Sequence, residues 1–193
     1  FLARYPGVRL DVRTQGAMPS VGDNRTLCLW LGRVPECGLR QEILGRLSRR
    51  LYAHPDYLAR RGEPLHPREL AGHDWVDLLG DSMEGLTLHH DQEGIVDVAP
   101  SPSRLRVDQY SMHIDAIARG RGLGVLPDWM VAGREQAHPG ELMACLETWQ
   151  PADLPVTLLY PFGHQPRRVT SFLEMLRQSV PAAWQRDRHS ALA

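Results

Sequence analysis

Apolar residues recur along the chain with two periods, one typical of helices and one typical of strands. The clearest helical pattern lies near the carboxyl end, where apolar side chains stand at i, i+3, i+4, i+7 and i+11. This spacing places them on one face of a helix, which predicts a helix packed against a core. The set comprises Val169, Phe172, Leu173, Leu176 and Val180.

Short apolar or alternating segments predict strands between the helices. Val8, Leu10 and Val12 alternate with polar residues, and a continuous apolar run ends at Gly32. Other predicted strands are "RRLYAHP", "RLRV", "LGVLP", "ELMACLE", "VTLLYP" and a pair within "EGLTLHHDQEGIVDVAP". Helices are predicted to open at prolines, as in "PDYLARRG", "PRELAG" and "PDWMVAGREQ". The alternation of strands and helices predicts an α/β fold with a largely parallel sheet.

Three glycines stand at alternate positions in "ARGRGLGVLP". A dinucleotide-binding fingerprint would need glycine at Val125, and it would follow a strand and open a helix. Here the predicted helix comes first and the strand follows. We therefore expect Gly120, Gly122 and Gly124 to end a helix and to permit a tight turn into a buried strand.

The beginning of that helix is the better ligand-binding candidate. Asp108, Gln109, Tyr110 and Ser111 follow a predicted strand, where open α/β sheets bind ligands. The N–H groups of a helix start favour an anionic or carbonyl-bearing ligand. Asp108 leaves two alternatives: it caps its own helix and competes with an anion, or it points into the site and favours an amine or hydroxyl.

Composition narrows the class of protein. The chain has 193 residues, long enough for one large domain or two lobes, and its formal net charge is −1. All 22 basic residues are arginine and are scattered, so we do not expect this chain alone to contact DNA. No apolar run approaches the ~18 residues that span a membrane. The 3 cysteines, an odd number without a C-x-x-C motif, favour a reducing compartment.

Motifs for catalysis and metal binding fail on spacing. "GDSMEG" has Glu84 where the G-x-S-x-G elbow needs glycine. The histidine pairs His89–His90 and His54–His66 lack the spacing of metal ligands. We therefore expect no catalytic residues, no metal site and no cofactor.

Four segments in a fixed order carry a family resemblance over nearly the whole chain. They are "FLARYPGVRLDV", "LGRLSRRLYAHPDYLARRGEPLHPRELAGHDWV", "VDQYSMHIDAIARGRGLGVLPDWMVAGREQAHPGEL" and "WQPADLPVTLLYPFGHQPRRVTSFLEMLRQ". Together they resemble the effector-binding (substrate-binding) domain of LysR-type transcriptional regulators.

The resemblance implies a fold like the type 2 periplasmic binding proteins, with two α/β lobes joined by two hinge-crossing strands. "RRLYAHP" and "PVTLLYP" match the crossings. Lobe I is expected over 1–51 and 158–193, without its first strand, and lobe II over 52–157. The winged helix-turn-helix of the family is expected to lie outside this chain.

The resemblance also implies partners. A small-molecule effector is expected in the cleft between the lobes. The domain is also expected to self-associate as a homodimer or higher homo-oligomer. DNA is expected to bind only through the winged helix-turn-helix. The protein is expected in the cytoplasm, with no membrane as a partner.

Effector-binding residues carry over from the family by position. The loop residues Gln15, Gly16 and Ala17 and the strand-end residues Trp30 and Gly32 match effector-contacting positions of lobe I. In lobe II, Asp108 matches the start of the cleft-facing helix, where Gln109 and Tyr110 are expected to add hydrogen bonds and Met112 an apolar wall.

Two other classes of protein remain as alternatives. A periplasmic solute-binding protein would have the same architecture, and a signal peptide upstream would favour it. An enzyme on this fold would need a nucleophile–base pair or a cofactor motif. A helix-turn-helix pattern upstream would favour the regulator.

Overall fold

The structure is a computed structural model that describes residues 1–14, 27–79, 85–99 and 101–185. The predicted loop residues Gln15, Gly16 and Ala17 lie outside these ranges. The chain divides into two compact units, Phe1–Leu47 with Leu154–Ala193, and Ser48–Asp153. The divisions stand at 47/48 and 153/154, whereas the boundaries expected from the sequence stand at 51/52 and 157/158.

The described residues form strands and α-helices in an order that mixes the two throughout. In chain order these are β1 (Cys28–Leu31), β2 (Arg40–Leu47), β3 (Arg49–Ala53), α1 (Pro55–Arg61), β4 (Val76–Leu78), β5 (Leu86–His90), β6 (Gly94–Val98), β7 (Leu105–Val107), α2 (Tyr110–Ala118), β8 (Gly124–Pro127), α3 (Asp128–Ala137), β9 (Met143–Cys145), β10 (Gln150–Pro151), β11 (Leu154–Tyr160) and α4 (Arg167–Gln178). Two 3-10 turns cover Pro67–Gly72 and Ala182–Trp184.

The first unit has an antiparallel sheet in the order β1-β11-β2. β11 is its central and most buried strand. The amphipathic helix predicted near the carboxyl end is confirmed as α4, whose Val169 and Leu173 pack with Leu158 and Tyr160 of β11. Burial of this apolar stripe is what attaches the helix to the sheet.

The second unit contains a sheet β8-β3-β9, a sheet β10-β5-β6 and the pair β4-β7. Its core includes the fully buried Leu51, Leu70, Leu88 and Leu123. The predicted strands at "RRLYAHP", "RLRV", "LGVLP" and "ELMACLE" are confirmed here, as is the predicted hairpin between Leu86 and Val98.

The predicted predominance of parallel pairing is wrong. Among the described residues, parallel pairing occurs between β4 and β7 and at the bridge of Trp75 with Leu123. The other strand pairs are antiparallel. Short connections explain part of this, since the turn from Asp91 to Glu93 between β5 and β6 has no room for the crossover that parallel neighbours need.

The strand predicted over Val8–Val12 is also wrong. These residues belong to no strand, and Leu10 and Val12 are exposed. Alternation of apolar residues describes only one face, whereas a strand also needs a neighbour for its backbone hydrogen bonds. Two further differences concern Pro67–Gly72, which is a 3-10 turn and not an α-helix, and β2, which the apolar pattern did not reveal.

The turn predicted from the three glycines is confirmed. α2 ends at Ala118, and φ is +68° at Gly120 and +152° at Gly122. A Cβ on Gly122 would overlap the carbonyl oxygen of Asp74, and a Cβ on Gly124 would overlap Ile117. The glycines therefore permit both the backbone turn and the close approach of β8 to its neighbours.

Candidate functional site

The start of α2 lies beside the carboxyl ends of two parallel strands. β4 and β7 run side by side, with Leu78 opposite Val107. The N–H of Leu79 donates a hydrogen bond to the carbonyl oxygen of Val107 at 2.6 Å. Asp108 and Gln109 then connect β7 to α2. This strand–loop–helix arrangement is the one in which open α/β sheets bind ligands.

Of the two alternatives left open for Asp108, the one in which it caps its own helix is wrong. The N-cap residue is Gln109, with φ −126° and ψ 138°, and no side chain caps the first turn. The carbonyl oxygen of Gln109 accepts the first helical hydrogen bond, from the N–H of His113 at 3.0 Å. Since the first helical residue is Tyr110, Asp108 stands one position too early to cap, and it is exposed.

The first turn of α2 presents its other predicted site residues at or near the surface. Gln109 is exposed, Tyr110 is half-buried, and the side chain of Met112 is 52% exposed. The buried face of the helix is a separate set: His113, Ile114, Ile117 and Ala118. Packing of that face holds the helix in place and leaves Gln109 and Met112 at the surface.

His113 is a buried residue of the first turn of α2 that sequence reasoning missed. Its ring is buried, and Nε2 donates a hydrogen bond to the carbonyl oxygen of Val76 at 2.8 Å. The carbonyl can only accept, so Nε2 carries the proton. The bond joins the first turn of α2 to β4. The signal in the sequence was a histidine beside Ile114 on an otherwise apolar helix face.

The predicted residues of the first unit lie at the end of β1. Trp30 is half-buried, stands opposite Thr157 of β11, and donates from Nε1 to the carbonyl oxygen of Arg33 at 3.1 Å. Gly32 has φ +92°, which favours glycine, and its N–H donates to the carbonyl oxygen of Pro155 at 2.9 Å. These residues and the start of α2 belong to different units.

A polar cluster within the second unit joins the start of β3 to the start of α3. Oδ1 of Asp128 accepts hydrogen bonds from Nε of Arg50 and from the hydroxyl of Tyr52, each at 3.1 Å. Burial, together with the Asp128 charge, raises the pKa of Tyr52 to about 12. The tyrosine hydroxyl is protonated at neutral pH and is the donor in its bond to Asp128. The apolar pattern gave no reason to pair these residues.

Two features are absent from the described residues. No group of three or more His, Cys, Asp and Glu side chains among them is placed to hold a metal ion. No helix in the same part of the chain is long and apolar enough to cross a membrane.

Comparison with known proteins shows what the chain is similar to. The family model described as "LysR substrate binding domain" matches residues 1–181. The iron-regulated virulence regulatory protein IrgB of Vibrio cholerae is 42% identical over 159 residues, which are 82% of this chain and 53% of that protein. The regulator YhjC of Escherichia coli is 27% identical over 91% of this chain and 59% of its own length. The chain thus spans about half the length of the curated relatives it matches.

Solved structures show the same fold. The full-length virulence activator AphB of Vibrio cholerae superposes with a TM-score of 0.75 at 20% identity, over 93% of this chain and 61% of that chain. The regulatory domain of CrgA from Neisseria meningitidis has a TM-score of 0.75 at 22% identity, over 93% of this chain and 88% of that chain. The expected two-lobed fold, like that of periplasmic binding proteins, is confirmed by this likeness.

Proposed function

Because the chain belongs to the LysR substrate-binding domain family, we propose that it senses a small-molecule effector and transmits binding to an attached winged helix-turn-helix. The observation that carries the proposal is the family match over residues 1–181. The relatives compared above are transcription regulators, which does not favour a periplasmic solute-binding protein.

The exposure of Asp108, Gln109 and Met112 supports an effector site at the start of α2. No side chain caps the helix, so its first N–H groups can meet a carbonyl or carboxylate of the effector. Asp108 does not cap, and its exposed carboxylate can accept from an amine or hydroxyl. We infer an effector with both kinds of group, and an apolar portion against Met112.

The proposed activity involves no covalent step. Binding shifts the equilibrium between conformations only by the difference in effector affinity for them. We further propose that the domain is not an enzyme, takes no cofactor, acts in the cytoplasm as a homodimer or higher oligomer, and reaches DNA only through the winged helix-turn-helix. In the first unit we propose Trp30, Gly32 and the loop Gln15–Ala17 as effector contacts.

The test is ligand screening followed by substitution. The 193-residue chain is screened by thermal shift against amino acids, hydroxy acids and aromatic acids, and binding is measured by calorimetry. We expect Asp108→Asn and Met112→Ala each to weaken effector binding by about tenfold. The first substitution removes a charged hydrogen bond, and the second removes an apolar contact with the effector.

Met143 of β9 offers a matched control, because it is also a partly exposed methionine of the second unit. Met143→Ala is expected to keep the parental affinity. An effector that binds the Asp108→Asn, Met112→Ala and parental chains equally well would show that the start of α2 is not part of the effector site.

A further inference from the structure

A groove on the second unit lies at the opposite end of α2 from the proposed effector site. Its volume is about 510 Å³, and it is bounded by the end of α1, the segment from Gly72 to Trp75, the segment before β7 and the turn that follows α2. All of its lining residues fall within Ser48–Asp153, so the groove is complete within one unit.

Four arginines line the groove, and the described part of the chain offers an acidic partner to one of them, Arg61. Arg61 donates from Nη2 to the carbonyl oxygen of Gly72 at 2.8 Å, and its Nε lies 3.7 Å from Oδ2 of Asp74. No carboxylate in the described part of the chain lies within 4.0 Å of a guanidinium nitrogen of the other three, which are Arg60, Arg104 and Arg121. Since the charge of Arg61 offsets that of Asp74, the other three arginines give the groove a positive charge.

The turn that carries Arg121 also contacts the side chain of Arg60. Arg121 stands between Gly120 and Gly122, both at positive φ, and its N–H donates to the carbonyl oxygen of Ala116 at 3.2 Å. Nη2 of Arg60 lies only 3.7 Å from where a Cβ of Gly120 would stand. The guanidinium of Arg60 therefore lies against the backbone that carries Arg121.

The floor of the groove is buried and hydrogen-bonded. The hydroxyl of Tyr57 accepts from the N–H of Asp74 at 2.8 Å and lies 3.3 Å from Nδ1 of His73. Nε1 of Trp75 donates to the carbonyl oxygen of Leu70 at 3.2 Å. Because these groups are already partnered, the exposed arginines at the rim are the groups left to bind a ligand.

We propose that this groove, which we call the arginine groove, is a second ligand site that takes a small multivalent anion bearing phosphate or clustered carboxylate groups. A guanidinium offers a planar set of donors that matches the paired oxygens of either group. Like charges gathered in a concave surface attract a counter-charge, and a bound anion relieves their repulsion. The proposal does not depend on the effector site at the start of α2.

The experiment is calorimetric titration of the 193-residue chain with inorganic pyrophosphate and, separately, with citrate, at constant ionic strength. We expect Arg60→Gln and Arg121→Gln each to weaken binding by about tenfold, as the loss of one charged hydrogen bond does. Binding of one probe and not the other still supports the site and identifies the anionic group. Circular dichroism checks that each variant is folded.

Arg119 supplies the matched control, because it is exposed, precedes Gly120 and does not line the groove. Arg119→Gln is expected to keep the parental affinity for the probe. Failure of both probes to bind the parental chain overturns the proposal, and so does an equal loss in Arg119→Gln, which would indicate general charge attraction. Tighter binding of a short DNA duplex, lost in the same groove variants, would also overturn it by identifying nucleic acid as the occupant.

Discussion

The guanidinium of Arg177 donates two hydrogen bonds to the carboxylate of Glu42. Nε lies 2.7 Å from Oε1, and Nη2 lies 2.7 Å from Oε2. Oε2 also accepts from the hydroxyl of Tyr160 at 3.2 Å. Three elements of the first unit, β2, β11 and α4, are joined at this carboxylate, and the hydrogen bonds from Arg177 are the main reason that the pKa of Glu42 lies below its ordinary value.

We expect Arg177→Gln to reduce the free energy of unfolding by about 1 kcal/mol at neutral pH, a modest figure because both side chains are about one-third exposed. Glu42 has a lower pKa in the folded state, so its stabilisation is present above the unfolded value near 4.5 and is lost as the pH falls through the folded value. Urea unfolding at a series of pH values measures this. Arg168→Gln, an exposed change at the start of α4, is the control, and an Arg177→Gln effect independent of pH would contradict the assignment.

We expect Gly122→Ala to destabilise the second unit by more than about 2 kcal/mol, because alanine meets both a positive φ and the carbonyl oxygen of Asp74. Gly133, in α3, is the contrast, since a Cβ there meets no atom within 4 Å. Gly133→Ala should raise stability by about 0.5–1 kcal/mol. Thermal and urea unfolding of the two variants measure the sign of each stability change. Equal changes would show that the turn does not need glycine at position 122.

We expect His113→Leu to lower the free energy of unfolding by about 1–3 kcal/mol, because the buried carbonyl oxygen of Val76 loses its donor. Effector affinity should fall as well, since this bond positions the first turn of α2. Ser111→Ala, an exposed change in the same turn, is the control for stability. A His113→Leu chain with parental stability would show that the bond contributes nothing.

We expect the stability of the second unit to fall as the pH drops below about 6.5. Burial, and then the neighbouring charge of Arg61, lower the pKa of His73, whose ring packs against Tyr57. The unfolded chain therefore binds a proton more readily than the folded one, so the stabilisation is present above 6.5 and is lost as the pH falls through the folded value. Urea unfolding between pH 7.5 and pH 5 measures the slope, which should be shallower in His73→Gln. An unchanged slope in His73→Gln would show that groups other than His73 cause the pH dependence of stability.

Local patterns were sufficient for elements whose cause is local. The stripe from Val169 to Leu176 predicted α4, and proline and glycine predicted the ends of α1. The three alternate glycines predicted the turn after α2, because the ability to adopt a positive φ belongs to glycine itself and does not depend on distant partners. The four ordered segments predicted the family, and the family match confirms it.

The tertiary structure decided what depends on partners distant in sequence. Strand pairing is one example, and the exposed Val12 shows that an alternating segment does not form a strand without a neighbour. Because α2 begins at Tyr110, its N-cap is Gln109. The acceptor for Nε2 of His113 is the carbonyl oxygen of Val76, which only the packing of β4 against α2 provides. Arg60 and Arg121 are far apart in the chain and line one groove because the fold brings the end of α1 against the turn at Gly120. Propensity and periodicity are properties of neighbouring residues, whereas hydrogen bonds and charge clusters depend on which segments the fold brings together.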